Sequence, residues 1–144
     1  MMLDHLVEVS TYSGEGYQPL IDFNCWRVAF LRYLDELEPV QIGSVEKHFE
    51  TDEVFVLLSG QGVLFLGSGE GEVNELISLV MQPCRLYNVK KGTWHTIVLS
   101  RDATILLVEN RDTRNENSAF CSLNFVHRQC IQAVAREEMP DWWS

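Results

Sequence analysis

Nowhere in the sequence do apolar residues run for the ~20 positions a helix needs to cross a bilayer, so no membrane-spanning helix is expected. Met1 to Ser10 carries Asp4 and Glu8 and has no basic start followed by an apolar run. A signal peptide is therefore not expected either. Basic residues are scarce: 11 Lys and Arg stand against 21 Asp and Glu, a net charge of −10. Such a surface repels phosphate backbones, so nucleic acid is set aside as a partner and the acidity reads as a solubility device. The four cysteines, Cys25, Cys84, Cys121 and Cys130, form no Cys-x-x-Cys pair. They read as reduced thiols of a cytoplasmic protein, used as small core residues. Glycine is dense only from Gly67 to Gly71, where no Gly-Lys-Ser or Gly-Lys-Thr follows. That segment is a hairpin turn rather than a phosphate cradle. No helical pattern interleaves the extended segments, which excludes a parallel α/β sheet.

What is present is a series of short apolar runs separated by turn residues. The 144 residues suffice for one domain with a sizeable core, and 46% hydrophobic with 22% charged residues is the balance of an ordinary soluble globule. Residues 11 to 22, with Gly14, Gly16 and Pro19, read as an irregular lead-in. Trp26 to Leu34 alternates and is rich in aromatic and β-branched residues, which favours a strand. Further strands are expected at Val45 to Glu50, Glu53 to Ser59, Val63 to Leu66, Val73 to Met81, Arg85 to Val89, Thr93 to Leu99 and Thr104 to Glu109. Glu53 to Ser59 is nearly all apolar and reads as buried on both faces. From Ser122, a plausible N-cap, the spacing turns helical. Leu123, Val126, His127, Cys130, Ile131 and Val134 make one stripe, and Pro140 follows its end. The expectation is an all-β antiparallel barrel or jelly roll over about residues 26–110, in a single domain spanning 1–144, with a helix over about 122–138 packed outside it. Trp142 and Trp143 at the end of the chain read as docking into a groove or joining a dimer contact.

The chemistry-bearing residues lie between 46 and 95. Side chains alternate along a strand, so Glu46 and His48 face one way. Across the Thr51-Asp52 turn Glu53 can face the same space, and His95 stands just inside a later strand. Two imidazoles with one or two carboxylates suit a divalent transition metal, whether iron, manganese, nickel or zinc, and leave positions open for water or substrate. The alternative from the same residues is a polar cluster lining an open, metal-free barrel. Other candidates carry blander readings: His5 as a surface residue, His127 as a hydrogen-bonded packing residue, Glu50 and Asp52 as strand polarity and turn capping, and Arg27 and Arg32 as surface salt bridges. Phe55 and Tyr87 read as core aromatics, and parity turns Trp94 to the face opposite His95.

These residues resemble the cupin superfamily, and in particular its small single-domain bacterial members. His48, four residues, Glu53, six residues and Gly60 match the second half of the family's first motif, and Gly92-x-x-His95 matches part of its second. The resemblance runs from about Gly43 to Asn110, roughly half the chain. Three departures stand out. Glu46 occupies the place of the family's first histidine, Lys90 that of a proline, and Leu99 that of an asparagine. The resemblance implies a jelly-roll barrel with His48, Glu53, His95 and Glu46 as its ligand set, and a homodimer. It fits a metal-dependent isomerase, lyase or dioxygenase acting on an oxygen-bearing small molecule, with Glu46 as ligand or general base. A metal-free binding or sensing module is the other function the residues allow.

Overall fold

The computed structural model describes residues 4–143, with the backbone alone for Trp142 and Trp143. The expected docking of those two indoles concerns side chains outside the described ones. Among the described residues ten strands form two five-stranded antiparallel sheets. They are β1 (Gly16–Phe23), β2 (Trp26–Arg32), β3 (Ser44–His48), β4 (Glu53–Ser59), β5 (Gly62–Gly67), β6 (Ile77–Val80), β7 (Tyr87–Val89), β8 (Trp94–Leu99), β9 (Thr104–Asn110) and β10 (Ser118–Ser122), with one helix, α1 (Phe125–Glu138). The first sheet runs β1-β2-β9-β4-β7 and the second β10-β3-β8-β5-β6. No ladder joins one sheet to the other among the described residues. The all-β expectation with a C-terminal helix outside the sheets holds.

Alternation along the strands sorts the apolar residues into two cores. Between the sheets lie Phe55, Leu57, Leu64, Ile97, Leu99, Ile105 and Leu107. On the outer face of the second sheet, Val45, Val63, Phe65, Trp94 and Val98 meet Ile131, Ala135 and Met139 of the helix and its end. Each fully buried side chain of this size stabilises the fold by about 1.5–3 kcal/mol relative to exposure. Trp94 thus takes the face opposite His95, as its parity requires. Its indole Nε1 donates to Gly69 O at 2.8 Å. Lys47, also on this face, lies 4.4 Å from the Trp94 ring centroid and donates to Gly69 O and Glu70 O. Together they pin the loop between β5 and β6.

Several expectations need correction. The lead-in is a strand: β1 pairs with β2 from Gly16↔Arg32 to Phe23↔Trp26, with an irregularity after Pro19. Proline is tolerated there because β1 is an edge strand. Gly16, at φ 79°, takes a backbone conformation that glycine adopts freely. β4 is not buried on both faces, since Glu53, Phe55 and Leu57 are buried and Val54 and Val56 only half so. Only Ile77–Val80 of the Val73 to Met81 segment is strand; residues before it form the pinned loop. Ser122 ends strand β10 rather than capping the helix, and the cap is Asn124, whose side chain accepts from His127 N at 2.8 Å. Val126 is exposed, so the buried helical stripe is narrower than the spacing suggests. Cys25 and Cys84 are exposed rather than core residues; Cys121 is buried.

Candidate metal centre

The site is assembled where two strands of one sheet, β3 and β8, face two of the other, β4 and β9. In β3, Val45 and Lys47 turn toward the helix, so Glu46 and His48 turn into the space between the sheets. β3 and β8 meet at the pair Glu46↔His95, which places the second imidazole beside the first. From the facing sheet, Glu53 opens β4 and pairs with Val89 of β7. The next pair along, Val54↔Val108, sets Glu109 of β9 on the other side of Glu53. His48, Glu53, His95 and Glu109 are buried, and the Glu46 side chain is 42% exposed at the rim.

Glu53 is the centre of the cluster. Its Oε1 lies 3.1 Å from His95 Nε2 and 3.4 Å from His48 Nε2. Glu46 Oε1 stands 4.0 Å from His95 Nε2. Both imidazoles are fixed from behind. His48 Nδ1 is 2.7 Å from Ser118 Oγ, and His95 Nδ1 donates to Thr93 O at 3.0 Å. A backbone carbonyl and a carboxylate both accept only, so Thr93 O on Nδ1 and Glu53 on Nε2 together favour the imidazolium of His95, and the Nε2 proton is the one an ion would displace. The two rings stand 5.3 Å apart between centroids, edge to face.

Burial disfavours the imidazolium of His48 and of His95, yet the hydrogen bond and charge of Glu53 outweigh it and raise both pKa values. Burial likewise pushes Glu53 up, and the hydrogen bonds from the two histidines reverse this, so its carboxyl titrates below the ordinary range. Glu109 goes the other way. Its burial, and the charge and hydrogen bond of Glu53 beside it, raise its pKa. Two carboxyls side by side in a dry site share one proton rather than both ionising.

The sequence reading named Glu46, His48, Glu53 and His95, and the structure brings all four together. It missed Glu109 and Tyr17. Tyr17 of β1 donates its hydroxyl to Glu109 Oε1 at 2.8 Å. Alternation marks Glu109, since it shares the inward parity of Ile105 and Leu107. Nothing marked Tyr17, because its strand read as irregular. The remaining candidates fall outside the cluster. Arg27 pairs with Asp22 at 2.8 Å, Arg32 donates to Thr104 Oγ1, and Asp52 accepts from Lys91 N. His127 binds Asn74 O at 2.8 Å on the helix side, and His5 is exposed.

The donor set fits a divalent cation. Ligating atoms of Glu46, His48 and His95 lie within 4.8 Å of one another, as do those of His48, Glu53 and Glu109. Two donors held at about 2.1 Å from one ion, with angles between octahedral and tetrahedral, stand about 3.0–3.4 Å apart. The two separations around Glu53 Oε1 fall in that range. The Glu46 and Glu53 carboxylates balance a double positive charge, and the anchored Nδ1 atoms are the outer support that metal-binding histidines have. Two cavities meet at Leu66, the cross-strand partner of His95, and at Thr93, and are lined by neighbours of the cluster rather than by its own residues.

No protein-family model and no curated protein sequence matches the chain. Solved structures do resemble it. Pac13 from Streptomyces, a nucleoside dehydratase also known with uridine, is 12% identical over 82% of this chain and 87% of that one, at a TM-score of 0.52. The capsular polysaccharide assembling protein CapF from Staphylococcus aureus is 16% identical over 78% of this chain and 31% of that one, at a TM-score of 0.54. A cupin-2 domain containing protein from Shewanella frigidimarina is 18% identical over 69% of this chain and 85% of that one, at a TM-score of 0.48. At such identities the likeness is one of fold alone, and the fold is all-β and cupin-like.

Proposed function

We propose that this cupin-fold protein holds a divalent transition metal, whether iron, manganese, nickel or zinc, on His48, Glu53 and His95, and binds and converts an oxygen-bearing small molecule there. The observation that carries this reading is the approach of both Nε2 atoms to one carboxylate oxygen, at 3.1 and 3.4 Å, with both Nδ1 atoms anchored from behind. A bound ion supplies Lewis acidity toward an oxygen of the ligand. Around it, Glu53 faces both Nε2 atoms, while Thr93 and Ser118 hold the two rings from their Nδ1 side. Glu46, exposed at the rim, is placed to complete the ligand set or to take a proton from the bound molecule. Isomerase, lyase and dioxygenase chemistry all suit such a centre.

Elemental analysis of natively purified protein tests it. The wild type is expected to carry about one transition-metal ion per chain, and His48→Ala and His95→Ala to lose it. A wild type without metal, unchanged by either substitution, sinks the metalloenzyme. A metal-free small-ligand module is the second reading. It is favoured by Glu53 already having both histidines as partners, which satisfies the cluster without an ion.

A further inference from the structure

Beside the cluster lies an apolar groove of about 370 Å3, within the range of small-molecule pockets (about 300–1,000 Å3). Its walls include Leu64, Leu66, Leu79, Leu86, Tyr87 and Val89. It follows the seam where the edge strands β6 and β7 face each other without pairing. The groove and the cluster share strands at matched registers. Leu66 is the cross-strand partner of His95, and Val89 that of Glu53. Thr93, whose carbonyl orients His95, lines the groove too.

Two rows of paired residues cross this end of the molecule, one on each sheet. The first reads Asp22, Arg27, Glu109, Glu53, Val89. The second reads Glu46, His95, Leu66, Ile77. Both change from charged to apolar in the same direction, toward the groove. A molecule lying across them meets carboxylates and imidazoles at one end and leucines at the other. The charged end has little room for an anion. Glu46 and Glu53 already cancel a divalent ion, and Arg27 is held by both oxygens of Asp22 at 2.8 and 3.1 Å. Lys90, the cation lining the groove, is on its solvent side.

We infer that the ligand of this protein is a hydrophobic molecule bearing a neutral hydroxyl or carbonyl. Its oxygen lies at the His48–Glu53–His95 cluster and its apolar body in the groove between β6 and β7. The inference rests on the proposed site and narrows its substrate class. Leu86 and Leu79 are 75% and 40% exposed, so each offers the groove an uncovered apolar face and tolerates substitution without opening the core.

Calorimetric titration of the purified protein with 2-naphthol, 2-naphthoate and uridine tests the assignment. 2-Naphthol is expected to bind at least about tenfold more tightly than the carboxylate or the polar nucleoside. Leu86→Asp and Leu79→Asp are each expected to weaken 2-naphthol by at least about tenfold while leaving metal content unchanged. No binding of 2-naphthol, tighter binding of 2-naphthoate or uridine, or indifference to both substitutions overturns the inference. Parallel titration of His95→Ala separates it from the metal reading. Groove binding that persists in a protein without metal leaves the groove standing and removes only the ion. Bound metal with no groove-dependent binding does the reverse.

Discussion

Single atoms behind the histidines set how the two rings of the proposed metal centre are held. Ser118 lies 2.7 Å from His48 Nδ1 and comes from β10, a strand that contributes nothing else to the cluster. Ser118→Ala removes the partner that orients the ring, and outer partners of this kind are worth about 10–100-fold in metal affinity. Competition titration with a chelating dye should show a loss of that order, with the fold unchanged by circular dichroism. Proton and metal compete for the same Nε2 lone pairs, and Glu53 raises both histidine pKa values above their ordinary 6.5. Metal affinity therefore falls as pH drops through those raised values. For the metal-free fold the sign is opposite. The histidine contribution to stability is complete below the unfolded value and is lost as pH rises through the folded ones. Metal titrations at about pH 8 and about pH 5.5 should show tighter binding at the higher pH; equal affinity at both contradicts imidazole ligation. Tyr17→Phe leaves the buried Glu109 carboxyl without its 2.8 Å donor. The carboxyl keeps its contact with Glu53, and the oxygen that loses its donor costs about 1 kcal/mol, readable as a lower urea midpoint.

At the scale of elements, legibility followed physical signal. β4 and β8 were readable because apolar runs with β-branched residues have few alternatives to strand, and the site residues sit at their starts. Period-two alternation then placed Glu46 and His48 together and sent Trp94 away from His95. β1 and β10 were missed for different reasons. Gly16 and Pro19 are breakers in most contexts, and only the edge position of β1 tolerates them. Ser118–Ser122 is short, and its pairing with β3 is a long-range fact that no local window contains. Glu109 falls inside the expected strand Thr104 to Glu109, and it was missed because the pairing of β9 with β4 that brings it beside Glu53 is a long-range fact. The helix was visible, but its stripe began too early because Leu123 belongs to the same core without being helical. The helix face should also be separable from the site. Ile131→Ala in the outer core is expected to cost about 2–5 kcal/mol, and Asn124→Ala, which removes the cap, about 1 kcal/mol. Urea unfolding measures both, and neither should change metal stoichiometry, because Ile131 packs on the outer face of the sheet whose inner face carries the site.

For the whole molecule the unpaired sheet edges matter most. β1 is broken by an irregularity at Pro19 and β7 is three residues long, so both are guarded against further pairing. β6 is not. Ile77, Ser78, Leu79 and Val80 are all exposed, carry no charge and stand at the edge of their sheet. An edge of this kind is a template for another strand, and in a two-fold pairing the available strand is a second β6. Sedimentation velocity should therefore show a species of twice the 16.6 kDa chain mass. Val80→Lys places a charge on the edge at a residue 44% exposed, so it should shift the protein to monomer without altering its fold or metal content. A wild type that stays monomeric at high concentration rules out the pairing. A dimer indifferent to Val80→Lys moves the interface elsewhere, with β10, whose Phe120 is 55% exposed, the next edge to test.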